Sequence, residues 1–239
     1  MSTISTLIDA YSMRARLQPA LLMLLPACAA LLLIAPAQLE PARTILLLAG
    51  TLGGAMLLSN LARDAGKQLE PRLWKSWGGR PSVALLRHRD PRLTAAVKSR
   101  YHTRLSKALK RPFPTAVEEG ADPTAADDVY EAANAWLLAS SRDQEKFQAL
   151  FSENVSYGFR RNLLGLRPWV LACCVLALAT IAVAYFTPLL PTRPDASTAA
   201  AATVIVLLYA AIFVVVIRRS WVRRAADAYA LRLLETADR

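Results

Sequence analysis

Histidine and cysteine are scarce in this chain, and that scarcity removes most metal and nucleophile chemistry at the outset. The histidines are His88 and His102, and the cysteines are Cys28, Cys173 and Cys174. All three thiols fall inside long apolar runs without the spacing a zinc site needs, and a vicinal pair is no disulfide framework, so they read as small apolar fillers. No G-x-S-x-G elbow, P-loop or H-E-x-x-H helix occurs. His88-Arg89-Asp90 matches a kinase catalytic triplet, but Ala95 stands where the metal-binding asparagine belongs and no glycine-rich loop precedes it. Asp127, Asp128 and Glu131 sit near a predicted helix start, where acids favour the positive dipole end without any metal. No catalytic residue, metal ligand or cofactor is assigned, and the chain is not expected to be an enzyme.

Charge is missing from four blocks, and there the absence is informative. Pro19–Ala37, Thr44–Ala62, Pro168–Phe186 and Ala199–Ile217 contain no ionisable residue of the Asp, Glu, Lys or Arg type. Nineteen helical residues at 1.5 Å each cross roughly 30 Å of hydrocarbon, so each block is long enough for a membrane span. The first block is too long for a cleavable signal, and a second span follows closely. The spans also lack a buried acid or base, which removes the charged relay of a proton- or ion-coupled transporter. Gly50-x-x-x-Gly54 offers a close-packing face, and Thr51, Ser59 and Asn60 are the polar groups that an oligomer would turn toward a narrow pore.

What is present in excess is positive charge: 29 Lys+Arg against 18 Asp+Glu in a chain that is 54% hydrophobic. The linkers 38–43 and 187–198 carry one arginine each, whereas residues 63–167 carry 19 cationic residues and residues 218–239 carry six. Positively charged loops stay cytoplasmic, which puts both termini and the central segment on the cytoplasmic side of the membrane. The expected fold is an all-α membrane protein with four transmembrane helices in two hairpins flanking a cytoplasmic helical domain. A C-terminal helix is expected to extend without a break from the last span. The boundaries are a cytoplasmic N-terminal segment 1–18, a first hairpin 19–62, a basic subdomain 63–111, an acidic subdomain 112–167, a second hairpin 168–217 and a C-terminal helix 218–239.

The central segment divides by charge. Residues 63–111 hold 14 Lys+Arg and three acids, and residues 112–159 hold two basic residues and nine acids. Leu93, Val97, Tyr101, Leu105 and Leu109 recur at helical spacing, beside a stripe of Arg100, Arg104, Lys107 and Arg111. Asp122-Pro123 is a helix-start pair, with Val129, Ala133, Trp136 and Leu137 following on one face. Ser141-Arg-Asp-Gln144 caps a further helix through Phe147, Leu150 and Phe151. Val222, Ala226, Tyr229 and Leu233 form a stripe that leaves room for self-association.

The densest stretch is WKSWGGRPSVALLRHRDPR, residues 74–92. Arg63, Lys67, Arg72, Lys75, Arg80, Arg87, His88, Arg89 and Arg92 surround Trp74 and Trp77, and Gly78-Gly79 would let backbone amides approach an anion. Arginine forks suit phosphates and exposed indoles suit stacked bases. The same residues equally suit anionic lipid, or a packed helical core. All three readings stay open, as does mutual neutralisation of the basic and acidic halves.

Short outer hairpins around a basic cytoplasmic helical domain give a layout that resembles bacterial antiphage membrane effectors, most nearly the four-span effector of the Hailong type. The resemblance implies a homo-oligomeric channel that depolarises its host. It also implies an oligonucleotide or cyclic nucleotide signal made by a partner nucleotidyltransferase and docking on the basic half. It carries no individual site residue. A membrane scaffold that binds anionic lipid and recruits a cytoplasmic partner is the alternative expectation, and an enzyme acting on lipid or nucleotide is the third.

Overall fold

A computed structural model describes residues 12–34, 54–188 and 193–238, which are helical and contain no strand. A π-helical turn, Ser12–Leu17, leads into α1, Gln18–Ile34. Then come α2, Ala55–Ser76; α3, Pro81–Ala84; α4, Ala95–Leu109; α5, Ala116–Ala121; and α6, Pro123–Ser140. Helix α7 runs through Gln148–Phe186, α8 through Ala196–Val215 and α9 through Arg219–Glu235. The chain packs as two units: Met1–Leu69 with Gly158–Val222, and Glu70–Tyr157 with Arg223–Arg239.

In the first unit, α7 and α8 are long and apolar enough to cross a membrane, and most of each apolar stretch faces outward: only 28% and 22% is buried. Trp169, Val175, Leu176, Phe186, Leu208 and Ile212 are exposed. Such a surface is costly in water and matches hydrocarbon. The described part of the first expected span is α1, and Thr44–Gly53 of the second lie outside the described residues, Thr51 among them.

Helices α2 and α7 meet where side chains are smallest. A Cβ on Gly165 would lie 2.6 Å from the Ala65 carbonyl carbon and oxygen and 2.7 Å from the Gly66 nitrogen. A Cβ on Gly66 would lie 2.0 Å from Asn162 Oδ1 and 2.9 Å from Asn162 Cα. Asn162 is buried, donates from Nδ2 to the Ala15 carbonyl at 2.7 Å and accepts from Arg161 Nη2 at 3.1 Å. Paired small residues allow this approach, and one amide side chain ties the strands of chain that meet there. Tyr209 of α8 donates to the Leu22 carbonyl of α1 at 2.6 Å.

The second unit is a helical body closed around one core. Leu105 of α4, Tyr130 and Leu137 of α6, Leu150 of α7, and Leu233 and Leu234 of α9 are buried together with Val83 and Leu86. The α4 stripe faces this core as its spacing predicts, with Tyr101 and Leu105 buried and Leu93, Val97 and Leu109 packed against them. Asp122 caps α6, accepting from the Thr124 and Ala125 amides at 3.1 and 3.0 Å ahead of Pro123. Thr115 and Glu118 form a capping box at α5. Before α7 it is Asp143, not Ser141, whose carboxylate takes the Glu145 and Lys146 amides.

The last span does not run unbroken into the C-terminal helix: α8 ends at Val215 and α9 starts at Arg219. The β-branched run Val214–Ile217 weakens the helix, and Arg218 Nε caps the Val214 carbonyl at 3.2 Å. Most of the basic and acidic segments contribute to one unit together with α9, while residues 63–69 and 158–167 belong to the first unit. Val222, Ala226 and Leu233 are buried within this chain, so the α9 stripe is used internally.

Candidate functional site

The motif at residues 74–92 begins at the end of α2. The Gly79 amide donates to the Trp74 carbonyl at 2.8 Å and the Gly78 amide to the Lys75 carbonyl at 3.4 Å. Gly78 and Gly79 have φ of 78° and 129°. This is a Schellman-type stop that needs glycine for its positive φ. Both amides are spent on the helix, so they do not form the anion cradle expected from sequence.

Beyond the stop, the arginines turn inward to acids and indoles. Arg80 lies over the Trp74 ring, 4.5 Å from its centroid, and pairs with Glu131 at 3.3 Å. Arg223 covers Trp77 at 5.1 Å and pairs with Asp227 at 2.9 Å. Each indole therefore offers one face to an arginine of its own chain. Arg87 grips Asp127 with two parallel bonds of 2.8 Å and also donates to the Gly78 carbonyl. Arg89 reaches Glu119 at 2.9 Å and Asp127 at 3.2 Å. Arg92 bridges Asp90 at 2.6 Å and Asp227 at 2.8 Å. Four of these partners belong to the acidic segment or α9, so the charge split closes the unit on itself.

Glu119 is the centre of this network. Its side chain is 3% exposed, and it accepts from the His88 amide at 2.7 Å, the Arg89 amide at 3.1 Å and the Tyr130 hydroxyl at 2.7 Å, besides Arg89 Nη1. Burial alone would raise its pKa. The hydrogen bonds from Tyr130, His88 and Arg89, with the Arg89 charge, outweigh burial and hold the carboxyl below its ordinary value. Burial, and then the bond to Glu119, pushes the Tyr130 hydroxyl up.

Of the remaining residues, Arg63, Lys67, Arg72 and Lys75 are exposed along α2, with Arg63 and Lys67 in the first unit and the other two in the second. Ser59 is half-buried and Asn60 exposed on α2. His88 belongs to a different environment, a cavity of about 580 Å³ beside the start of α4. His88 Nε2 is 2.9 Å from the Pro114 carbonyl oxygen, and His102 Nε2 is 2.7 Å from that of Leu86. The imidazoles meet edge to face at 4.9 Å, and Phe113 lies 4.8 Å from His102. Lys98, 5% exposed, donates to the His88 carbonyl at 3.1 Å and to the Asp90 carbonyl.

Lys98, His102 and Phe113 were not singled out as site residues from the sequence. The four-residue step from Lys98 to His102 along α4 was the available signal, hidden by the more conspicuous arginines. Among the described residues, no cluster of His, Cys, Asp or Glu suits a metal ion.

Burial holds the His102 pKa below its ordinary 6.5, so the ring is neutral in the folded protein at neutral pH. The unfolded chain binds the proton more readily. Stability from this residue is therefore present above about 6.5 and declines as the pH falls toward the folded pKa. Glu119, also depressed, adds a further loss below its ordinary 4.5. The thermal midpoint of the parent protein is expected to fall as the pH drops below about 6.5. His102→Gln should flatten that limb when midpoints are measured across a pH series.

Comparison with protein-family models, curated proteins and solved structures finds no match for this chain.

Proposed function

We propose that the protein is a four-span, homo-oligomeric channel effector of the bacterial inner membrane, opened or closed by a nucleotide-type signal sensed in its cytoplasmic helical unit. The observation that carries the membrane part of this reading is the outward-facing apolar surface of α7 and α8, which a bilayer would cover. The positive bias of residues 63–167 and 218–239 supports placing both termini and the helical unit on the cytoplasmic side. Thr51, Ser59 and Asn60 are the pore-lining candidates, and opening would depolarise the membrane. Arg87, Arg89 and Arg92 are not the contacts of choice for a ligand, because their forks already hold carboxylates. Replacing all three by alanine would break internal ion pairs, and lost binding in that variant would not locate a ligand.

Purified protein in liposomes tests the reading. Ion flux is expected, changed by short single-stranded DNA or a cyclic dinucleotide, and Asn60→Leu should reduce the conductance. Absence of flux under every ligand condition would overturn the channel assignment.

A second reading, a scaffold bound to anionic lipid, draws on the exposed cations Arg63, Arg72 and Lys75 along one helix. It expects headgroup-selective binding without flux in the same liposomes. An enzymatic reading would instead require turnover of lipid or nucleotide.

A further inference from the structure

A cavity beside α4 borders the ion-pair network and shares Asp90 with it. Its walls include His88, Lys98, His102, Phe113 and Thr115. Its volume of about 580 Å³ lies within the range of about 300–1,000 Å³ usual for small-molecule pockets.

Its electrostatics differ from those of the neighbouring arginine cluster. Every arginine from Arg80 to Arg92 has a carboxylate partner. Lys98, more deeply buried than any of them, is hydrogen-bonded to two carbonyl oxygens and, among the described residues, to no carboxylate. Two of the three donors of this buried ammonium go to carbonyls, which leaves one for an anion. Asp90 also lines the cavity, but Arg92 occupies both its oxygens, at 3.0 and 2.6 Å.

The rest of the wall favours the same sign of ligand. Thr94 makes no side-chain cap for α4, whose first turn carries no acid, so the positive end of a 15-residue helix adjoins the cavity, with Asp90 the one acid in its lining. Phe113 and the imidazoles supply flat apolar surface next to these donors.

The geometry points to this cavity as a binding site for a small soluble phosphate monoester of nucleotide size, its phosphate directed to Lys98 and the start of α4 and its planar ring against Phe113. The inference rests on the sensing role proposed above and supplies the site for it.

The test is calorimetric titration of the full chain in phosphatidylcholine nanodiscs with adenosine 5′-monophosphate, and with adenosine as the uncharged control. Saturable binding of the monophosphate is expected, at least tenfold tighter than adenosine. Ala95→Glu should abolish it while leaving the thermal midpoint unchanged or higher, because an acid at the first turn stabilises a helix while repelling phosphate. Lys98→Gln should weaken it at least tenfold, whereas Arg72→Ala with Lys75→Ala should leave it unchanged. No saturable binding, equal binding of adenosine, binding that survives Ala95→Glu, or displacement by phosphatidic acid in the disc would each overturn the assignment. Flux in liposomes is read independently, so failure of this site and failure of the channel reading are separate results.

Discussion

Glu119→Ala is expected to lower the stability of the protein by about 3 kcal/mol, because it takes the acceptor from the buried Tyr130 hydroxyl and from the part-buried His88 and Arg89 amides. The Tyr130 hydroxyl and the His88 amide both donate to one oxygen of this carboxylate, and the Arg89 amide and guanidinium to the other. Unmaking a buried hydrogen bond from one side costs about 1–3 kcal/mol for each group left without a partner, more than forming it contributes. Glu119→Gln retains an acceptor oxygen and should cost less. Arg89→Ala should cost less still, since Arg89 is 44% exposed and water replaces its partner. Denaturant titration of the full chain in detergent, followed by tryptophan fluorescence, gives the order. A Glu119→Ala variant as stable as the parent would refute the place assigned to this carboxylate.

Gly165→Val is expected to disrupt the first unit as severely. The atoms that a Cβ would strike are backbone atoms of α2, at 2.6–2.7 Å, and they cannot rotate away as a side chain can. Overpacking that forces a backbone shift costs up to about 3 kcal/mol, occasionally more. Gly120 is the natural contrast. It lies inside α5 with nothing within 4 Å of its would-be Cβ, so Gly120→Ala should be neutral or favourable by about 0.5–1 kcal/mol. Thermal midpoints and size-exclusion profiles of the two variants, side by side, separate a crossing-specific effect from a general intolerance of glycine replacement. Comparable behaviour in both would show that the α2–α7 crossing is not as close as described.

The parts legible in the sequence are those that local physics governs. The α4 stripe from Leu93 to Leu109, the Asp122-Pro123 start of α6 and the apolar length of α8 each follow from periodicity, capping or composition within one stretch. The break before α9 was missed because no proline or glycine marks it; its cause is a β-branched run and one arginine reaching back to a carbonyl. The candidate site was less legible for a different reason. Arg87 and Asp127 stand 40 positions apart, and Arg92 and Asp227 135 apart, so charge counting displays both signs without saying which residues meet. The arginines of the 74–92 motif therefore looked available when they are engaged. Lys98, one cation among many in the sequence, stands out only once its hydrogen bonds are seen to go to carbonyl oxygens rather than to a carboxylate.

The helical unit is assembled from two stretches of chain, and that sets an order on its biogenesis. Ala230, Leu233 and Leu234 of α9 fill the same core as Tyr101, Leu105 and Tyr130, yet they leave the ribosome only after α8 has been made. Until then the earlier helices present an apolar seat with nothing in it. In a nascent chain the unit can close its core only once that hydrophobic stretch has been translated.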